Sequence, residues 1–90
     1  MYQISLSDQA KADYAYFVKL GNQQAVKKII ALIGELREHP FTGTGKPEPL
    51  KYDLTGCWSR RINSEHRIVY RVNGKTVEVF VLTMRYHYSK

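Results

Sequence analysis

The spacing of hydrophobic residues changes from a strand-like to a helix-like period early in the chain. Residues 2–6 alternate between apolar and polar side chains, which predicts a short strand with one buried face. Ser7-Asp8 then begins a segment in which apolar residues recur every three or four positions. Gly21 and Asn22 divide this segment into two antiparallel helices, because glycine favours a helix end and asparagine caps a helix start. The predicted buried positions are Ala10, Tyr14, Phe17 and Val18, followed by Val26, Ile29, Ile30, Ile33 and Leu36.

The second half has the pattern of short strands separated by turns. His39-Pro40 closes the second helix, because a residue before proline disfavours the helical conformation. Residues 41–50 contain two glycines and two prolines and predict a long loop of a kind that is often functional. Asn73-Gly74 is a strong hairpin signal. Four further strands are predicted, at residues 51–54, 58–62, 67–72 and 76–82.

The order β-α-α-β-β-β-β predicts the fold class. It indicates an α+β domain in which a two-helix hairpin packs on one face of a curved, mostly antiparallel sheet. The other face of the sheet is expected to be open. A concave sheet face beside a long loop and the C-terminal tail is where we expect a functional site.

Composition restricts the classes of protein to which the chain could belong. Ninety residues with 43% hydrophobic and 24% charged side chains predict one folded domain spanning residues 1–90. The single Cys57 excludes an intrachain disulfide, and no apolar run suits a membrane span or a signal peptide, so we expect a cytoplasmic protein. One cysteine and three histidines without a spaced carboxylate pair give no zinc pattern, and no glycine loop matches a nucleotide-binding fingerprint. We therefore predict no metal and no cofactor.

Positive charge is concentrated in the second half. Residues 46–90 carry nine Lys and Arg against four Asp and Glu, a net charge of +5, whereas residues 1–45 have a net charge of +1. Such an excess is typical of a surface that binds a polyanion. It also suits an acidic protein partner or a plain solvated surface, and the charge alone leaves these alternatives open.

The predicted hairpin between residues 58 and 70 carries several arginines. Arg60, Arg61 and Arg67 lie on strands expected near the centre of a small sheet, where an unpaired guanidinium is costly. Each needs an anion, from acidic side chains of the same chain or from a ligand such as phosphate. An odd number of connecting residues, or a bulge, would place Arg61 and Arg67 on the same face. We predict that both lie on the open face.

Several of the remaining polar residues are of types that can cleave RNA without a metal. The 2′-hydroxyl must lose a proton, the charge of the phosphorane must be neutralised, and the 5′-oxygen must gain a proton. Carboxylate, guanidinium and imidazole groups can perform these three tasks. The candidates are Glu48, Lys51, Arg60, Arg61, His66, Arg67, Tyr86, His87 and Tyr88.

Each candidate also has a structural interpretation. His87 lies near the terminus, where a side chain is ordinarily solvated. Tyr86 and Tyr88 could finish the last strand or stack on bases. Cys57 is interpreted as a small core residue and not as a nucleophile. Glu48 could simply form an ion pair with Lys46 or Lys51, and Arg67 could form one with Glu65 or Asp53. Exposed pairs of this kind contribute little to stability.

Four separated motifs stand out in the second half. They are Lys46-Pro47-Glu48-Pro49-Leu50-Lys51, Trp58-Ser59-Arg60-Arg61-Ile62, Glu65-His66-Arg67 and Arg85-Tyr86-His87-Tyr88. Together they resemble the YoeB family of toxins in the RelE superfamily, and the similarity extends over nearly the whole chain. The resemblance implies one RelE-like toxin domain. It also implies an endoribonuclease, or mRNA interferase, that cleaves mRNA in the ribosomal A site by metal-free 2′-OH transphosphorylation and so inhibits translation.

The resemblance further implies partners and residue roles. The partners are a YefM-like antitoxin that neutralises the toxin, the ribosome with its rRNA, and mRNA, with a homodimer as a further expectation. Glu48 matches the family's general base, Arg67 its phosphate-binding and transition-state arginine, and His87 its general acid. Tyr88 matches the adjacent active-site tyrosine. The predicted RNA-binding residues are Lys51, Arg60, Arg61, His66 and Arg85.

Two other functions suit the same fold. A binding module could block a protein target such as a topoisomerase, as ParE-type relatives of the superfamily do, and it would not need the set of Glu48, Arg67 and His87. A third alternative is a repressor component that acts on DNA only together with an antitoxin. The assignment of base and acid between Glu48 and His87 also stays open.

Overall fold

The computed structural model describes residues 1–87, which form two helices and a five-stranded sheet. The elements are β1 (Gln3–Leu6), α1 (Asp8–Leu20), α2 (Gln23–Leu36), β2 (Glu48–Pro49), a 3-10 helix (Tyr52–Leu54), β3 (Cys57–Arg61), β4 (Arg67–Asn73) and β5 (Glu78–Tyr86). The strand order is β1-β5-β4-β3-β2, with β1 parallel to β5 and the other pairs antiparallel. The predicted α+β class and the helical hairpin on a mostly antiparallel sheet are confirmed.

Local signals fix both ends of α1 and the start of α2 where the sequence predicts them, whereas α2 ends at Leu36, before the predicted stop at His39-Pro40. The Ser7 hydroxyl accepts a hydrogen bond from the Ala10 amide at 2.9 Å, and the Asn22 side chain accepts one from the Ala25 amide at 3.1 Å. These bonds satisfy amides that a helix start leaves unpaired. Gly21 adopts the left-handed conformation with φ 74° and ends α1. The link between the helices is therefore as short as predicted.

The buried stripe of each helix is rotated slightly from the predicted one. Val18 and Ile30 were expected inside but are 52% and 57% exposed. Ala25 and Leu32 are buried instead, at 3% and 0% exposure. The prediction was wrong at these positions because a residue at the border of the apolar stripe keeps the helical spacing whether it is buried or exposed.

The sheet separates two hydrophobic clusters. The larger one lies between the helices and the sheet and contains Phe17, Ile29, Tyr70 and Met84 among its buried members. A smaller one lies on the far face, where Leu50, Cys57 and Val69 pack with Leu54, Leu82 and Tyr86. The far face is thus only partly open. Cys57 is 1% exposed within the smaller cluster, in agreement with its interpretation as a core residue.

The predicted strand at residues 51–54 is wrong. Tyr52–Leu54 form a 3-10 helix, closed by hydrogen bonds from the Leu54 amide to the Lys51 carbonyl and from the Thr55 amide to the Tyr52 carbonyl. The fifth strand is the two-residue β2, which lies inside the predicted loop and pairs Glu48 with Ser59. Proline is tolerated in β2 because it forms the edge of the sheet.

The turn between β4 and β5 lies where Asn73-Gly74 predicts it but is longer than a two-residue loop. β4 ends at Asn73 and β5 begins at Glu78. The Asn73 side chain accepts hydrogen bonds from the amides of Lys75 and Thr76, at 3.0 and 3.3 Å. Asparagine therefore organises the turn through its side chain.

Neither of the two helices described within residues 1–87 has the length and hydrophobicity that a membrane span requires.

Candidate functional site

The hairpin of β3 and β4 determines which arginines face the same side of the sheet. Arg61 lies directly opposite Arg67, with residues 62–66 as the connection. Opposed residues share a face, so the predicted pairing of these two arginines on one face is confirmed. The same face carries Ser59, opposite Val69, and this is the far face with the smaller hydrophobic cluster.

Arg67 and Glu48 form the centre of the candidate site. The Arg67 Nη1 atom lies 2.9 Å from the Glu48 Oε1 atom and donates a hydrogen bond to the Ser59 hydroxyl at 3.0 Å. The register brings them together, because β2 sets Glu48 opposite Ser59. Arg67 is 8% exposed, whereas the Glu48 side chain is 42% exposed. The guanidinium is therefore held in the sheet by Ser59, and its carboxylate partner Glu48 faces the solvent.

This pair differs from the ion pairs considered on the sequence alone. The partner considered for Arg67 was Glu65 or Asp53, and for Glu48 it was Lys46 or Lys51. The structure instead pairs Glu48 with Arg67 across two strands. That contact could not be predicted, because β2 was not expected inside the loop.

Arg60 lies on the opposite face and is fully buried against the helices. Its Nη1 atom lies 3.1 Å from Glu35 Oε1, its Nε atom donates to the Tyr70 hydroxyl at 3.1 Å, and its Nη2 atom donates to the carbonyls of His39 and Thr42. This placement contradicts the predicted RNA contact of Arg60. A buried guanidinium with these partners has a structural role.

The Arg60 network holds the start of the long loop against the sheet. Hydrogen bonds from Thr44 and the nearby Arg60 charge lower the pKa of Glu35, although its burial opposes this shift. The Tyr70 hydroxyl donates to the Pro40 carbonyl at 2.7 Å, and burial raises its pKa. Gly43 has φ 124°, a conformation that other residues rarely adopt, and a Cβ atom there would lie 2.2 Å from Glu35 Oε1 and displace that side chain. The loop that carries Glu48 is thus anchored by a buried charge.

We expect Arg60→Ala to lower the free energy of unfolding by about 3 kcal/mol or more, the loss typical of breaking a buried ion pair. The substitution removes the ion-pair partner of Glu35, which keeps its hydrogen bonds from Thr44. It also leaves the two carbonyls that accept from Arg60 without this donor. Urea unfolding measures this. Arg61→Ala, an exposed neighbour of the same type, is the control and should change stability by less than about 0.5 kcal/mol. Equal effects of both substitutions would contradict the structural role of Arg60.

His66 and His87 lie together on the helix side of the sheet, next along the chain to Arg67 and Tyr86 respectively. Their ring centroids are 4.8 Å apart, and His66 also contacts the Phe17 ring at 5.2 Å. Burial lowers the pKa of His66, and the nearby His87 and Arg85 lower it further, against an opposing effect of Glu65. The Nδ1 atom of His66 is buried and has no hydrogen-bond partner among residues 1–87, so packing holds this ring.

The end of β5 brings His87 close to Arg67 along the sheet. Tyr86 is the partner of Arg67 in the β4–β5 ladder, and His87 is the next residue. Because successive residues point to opposite faces, His87 starts on the side of His66, and its side chain is exposed. The structure therefore places Glu48 and Arg67 in contact, with His87 at the adjacent strand end.

Asp13 is a residue of this region that the sequence interpretation missed. It is 2% exposed on α1 and accepts hydrogen bonds from the Met84 amide at 2.9 Å and the Thr83 hydroxyl at 2.7 Å. Burial alone would raise the pKa of Asp13, but these bonds and one from Gln9 lower it. Asp13 thereby fixes the end of β5. Its spacing from Ala10 and Phe17 on the buried stripe was the available signal.

The structure does not bring all of the other predicted residues to the Glu48–Arg67 pair. The Arg85 guanidinium stacks over the Tyr16 ring at 3.6 Å and so lies against α1. Lys51 is exposed at the start of the 3-10 helix, and Arg61 is exposed beside Arg67. Tyr88 lies outside the described residues. Within residues 1–87, no group of three or more His, Cys, Asp or Glu side chains could hold a metal ion.

Comparison with known proteins places this fold and site in context. Residues 6–88 match the family described as YoeB-like toxin of bacterial type II toxin-antitoxin system. The chain is 46% identical over 82 residues to Toxin YoeB of Escherichia coli strain K12, which covers 91% of this chain and 94% of that protein. It is 42% identical over 88 residues to Toxin YoeB of Mycobacterium bovis, covering 98% of this chain and all of that protein.

Solved structures show the same architecture. The YoeB/ParE toxin from Agrobacterium tumefaciens superimposes with a TM-score of 0.87 at 42% identity, covering 96% of this chain and 99% of that one. A YoeB–YefM complex from Staphylococcus aureus gives 0.81 at 43% identity, covering 98% and 99%. A YoeB dimer from the same organism gives 0.82 at 43% identity, covering 97% and 98%.

Proposed function

Because the chain belongs to the family of YoeB-like toxins of bacterial type II toxin-antitoxin systems, we propose that it is an endoribonuclease that cleaves mRNA in the ribosomal A site. The observation that carries the proposal is the contact between Glu48 and Arg67. A nearly buried arginine, held by Ser59 and facing an exposed carboxylate at 2.9 Å, combines a phosphate ligand with a proton acceptor. A module that only binds a protein would not need this pair.

The ion pair suggests how binding of the substrate could free Glu48 to act as a base. A phosphate that approaches Arg67 competes with Glu48 for the Nη1 atom, while Ser59 keeps the guanidinium in place. Glu48 is then free to accept the proton of the neighbouring 2′-hydroxyl. The guanidinium neutralises charge on the phosphorane, where a preorganised donor contributes most.

His87 is the candidate for the remaining proton transfer. It follows Tyr86, the ladder partner of Arg67, and its exposed side chain starts on the side of His66. This role therefore requires the end of β5 to turn, so that the imidazole reaches the 5′-oxygen on the face of Arg67. Such a group protonates the leaving oxygen as a general acid. The reaction uses 2′-OH transphosphorylation, and the tasks assigned to Glu48, Arg67 and His87 require no metal.

We also propose the partners of this toxin. The S. aureus relative is known in complex with YefM and as a dimer, and the chain shares 43% identity with it, which supports a YefM-like antitoxin and a homodimer here. The basic second half, with a net charge of +5, suits an acidic antitoxin segment and the phosphates of mRNA and rRNA. A target on translating ribosomes sets the place of action in the cytoplasm.

Primer extension tests the proposed function. The purified toxin is added to an mRNA with and without translating ribosomes, and the 5′ ends are mapped. We expect cleavage within A-site codons only when ribosomes are present, and its loss when a YefM-like antitoxin is added. Growth inhibition without any cleaved mRNA would refute the nuclease and favour a ParE-like block of a protein target, an alternative that the name of the A. tumefaciens neighbour keeps open.

A further inference from the structure

A basic groove is formed by Lys28, Gly45, Lys46 and residues 61–64. It has a cavity volume of about 420 Å³. Lys28 comes from α2, Lys46 from the long loop, and Arg61 from the end of β3. No acidic residue lines the groove within the described part of the chain. Three separate elements thus bring cations to one concave surface.

The loop is built to hold its lysine in this groove. Gly45 has φ 79°, a conformation that other residues rarely adopt, and a Cβ atom there would lie 3.0 Å from the Arg61 carbonyl oxygen, so glycine favours the close approach of the loop to β3. The Arg61 amide donates to the Gly45 carbonyl at 2.6 Å. Lys46 itself adopts a left-handed conformation with φ 51°. Non-glycine residues persist in that conformation when surrounding contacts fix it, which often occurs at functional sites.

The groove cations differ from the other central arginines in their partners. Arg60 is paired with Glu35, and Arg67 with Glu48. Of the ion pairs that the structure gives for residues 1–87, none involves Lys28, Lys46 or Arg61. Like charges that converge without a carboxylate repel one another, and an anion in the groove relieves that repulsion.

Arg61 links the groove to the face that carries the Glu48–Arg67 pair. Arg61 is directly opposite Arg67, and the Cβ atoms of opposed residues are about 5 Å apart. Lys46 precedes Glu48 by two residues. A phosphate bound at Arg67 would therefore have the Arg61 side of the groove as its neighbour on the same face.

We propose that the basic groove is a second phosphate site, which binds a backbone phosphate of the RNA close to the one that is cleaved. This inference rests on the proposed function and adds a specific subsite to it. A polynucleotide fits better than an acidic peptide, because the only apolar residue of the groove, Ile62, is 6% exposed within the described structure and leaves no pocket for a hydrophobic anchor. Phosphate contacts of this kind set the register of the strand over the reacting atoms.

The test combines a protein change with a substrate change. The double variant Lys28→Gln/Lys46→Gln removes two groove charges, and the control Lys11→Gln/Lys75→Gln removes two exposed lysines elsewhere. Ribosome-bound mRNAs carry one neutral methylphosphonate linkage at each of several positions on either side of the cleaved phosphate. The measured quantity is the toxin concentration that gives half of the maximal single-turnover rate, as a function of salt.

We expect one neutral linkage to raise that concentration about fivefold for the wild type and for the control, the size of an exposed charge pair. The groove variant should show a similar loss on normal mRNA and no further loss with that linkage, because the two changes remove the same contact. Its salt dependence should become shallower, by about 0.7 in the logarithmic slope for each single-strand phosphate contact that is lost.

The other outcomes overturn the inference in distinguishable ways. If the wild type cleaves and the groove variant behaves like the control, the groove is not a phosphate site. If the groove variant still responds to every neutral linkage but binds the YefM-like antitoxin less tightly, the anion in the groove is an acidic protein segment. If the wild type cleaves none of these mRNAs, the proposed function itself fails, and the subsite fails with it.

Discussion

Replacing Arg67 with alanine is expected to lower the single-turnover rate on ribosome-bound mRNA by about a hundredfold or more, as removal of one preorganised electrostatic donor does in other enzymes. Arg67 is nearly buried, and Ser59 and Glu48 hold its Nη1 atom at 3.0 and 2.9 Å. The guanidinium therefore meets the phosphorane without reorganising. Measurement at saturating ribosome separates this chemical effect from weaker binding.

The Arg67 prediction has a conservative variant and a matched control. Arg67→Lys should restore only part of the rate, because an ammonium lacks the planar fork that binds two phosphate oxygens. Arg71→Ala removes an exposed arginine of the same strand, whose Nη2 atom donates to Cys57 Sγ at 3.6 Å, and should leave the rate nearly unchanged. Equal rates for Arg67→Ala and Arg71→Ala would exclude Arg67 from the chemical step.

The helical half of the fold was predictable because its signals are local. Ser7, Gly21 and Asn22 act through hydrogen bonds and backbone conformations within a few residues, and the structure shows each of them at its predicted place. The errors at Val18 and Ile30 arise where burial depends on how the helix is rotated against the sheet. Rotation is decided by tertiary packing, which a periodic pattern constrains only to within one position.

The edge strand and the arginine partners depend on contacts between distant residues. Alternation along β3 implies that Arg60 and Arg61 point to opposite faces, so one of them must meet the helices. The sequence does not say which one, because the deciding acid is Glu35, 25 residues earlier. The two-residue β2 is equally hidden, since its pairing with β3 forms within a loop rich in glycine and proline. The Glu48–Arg67 contact follows from that pairing and emerges only in three dimensions.

The last prediction assigns the proton transfers. Glu48→Ala and His87→Ala should each slow the chemical step by about a hundredfold to ten-thousandfold if both groups transfer protons. The ion pair complicates Glu48, because removal of its side chain also removes a partner of Arg67. Glu48→Gln separates the two effects: its amide oxygen can still accept from Arg67, but it is a far weaker base. If Glu48 is the base, Gln should be about as slow as Ala.

A change of leaving group identifies the acid. An mRNA with a 5′-bridging sulfur at the cleaved linkage releases a thiolate, which needs no proton from the enzyme. We expect this substrate to restore most of the rate that His87→Ala loses and little of the rate that Glu48→Gln loses. The control is Glu38→Ala, which changes an exposed acid outside the site and should cleave both mRNAs at the wild-type rate. Rescue of Glu48→Gln instead of His87→Ala would exchange the two roles. Wild-type rates for Glu48→Ala and His87→Ala on normal mRNA would remove both from catalysis, and together with an unaffected Arg67→Ala they would leave a ParE-like binding module as the better account of this site.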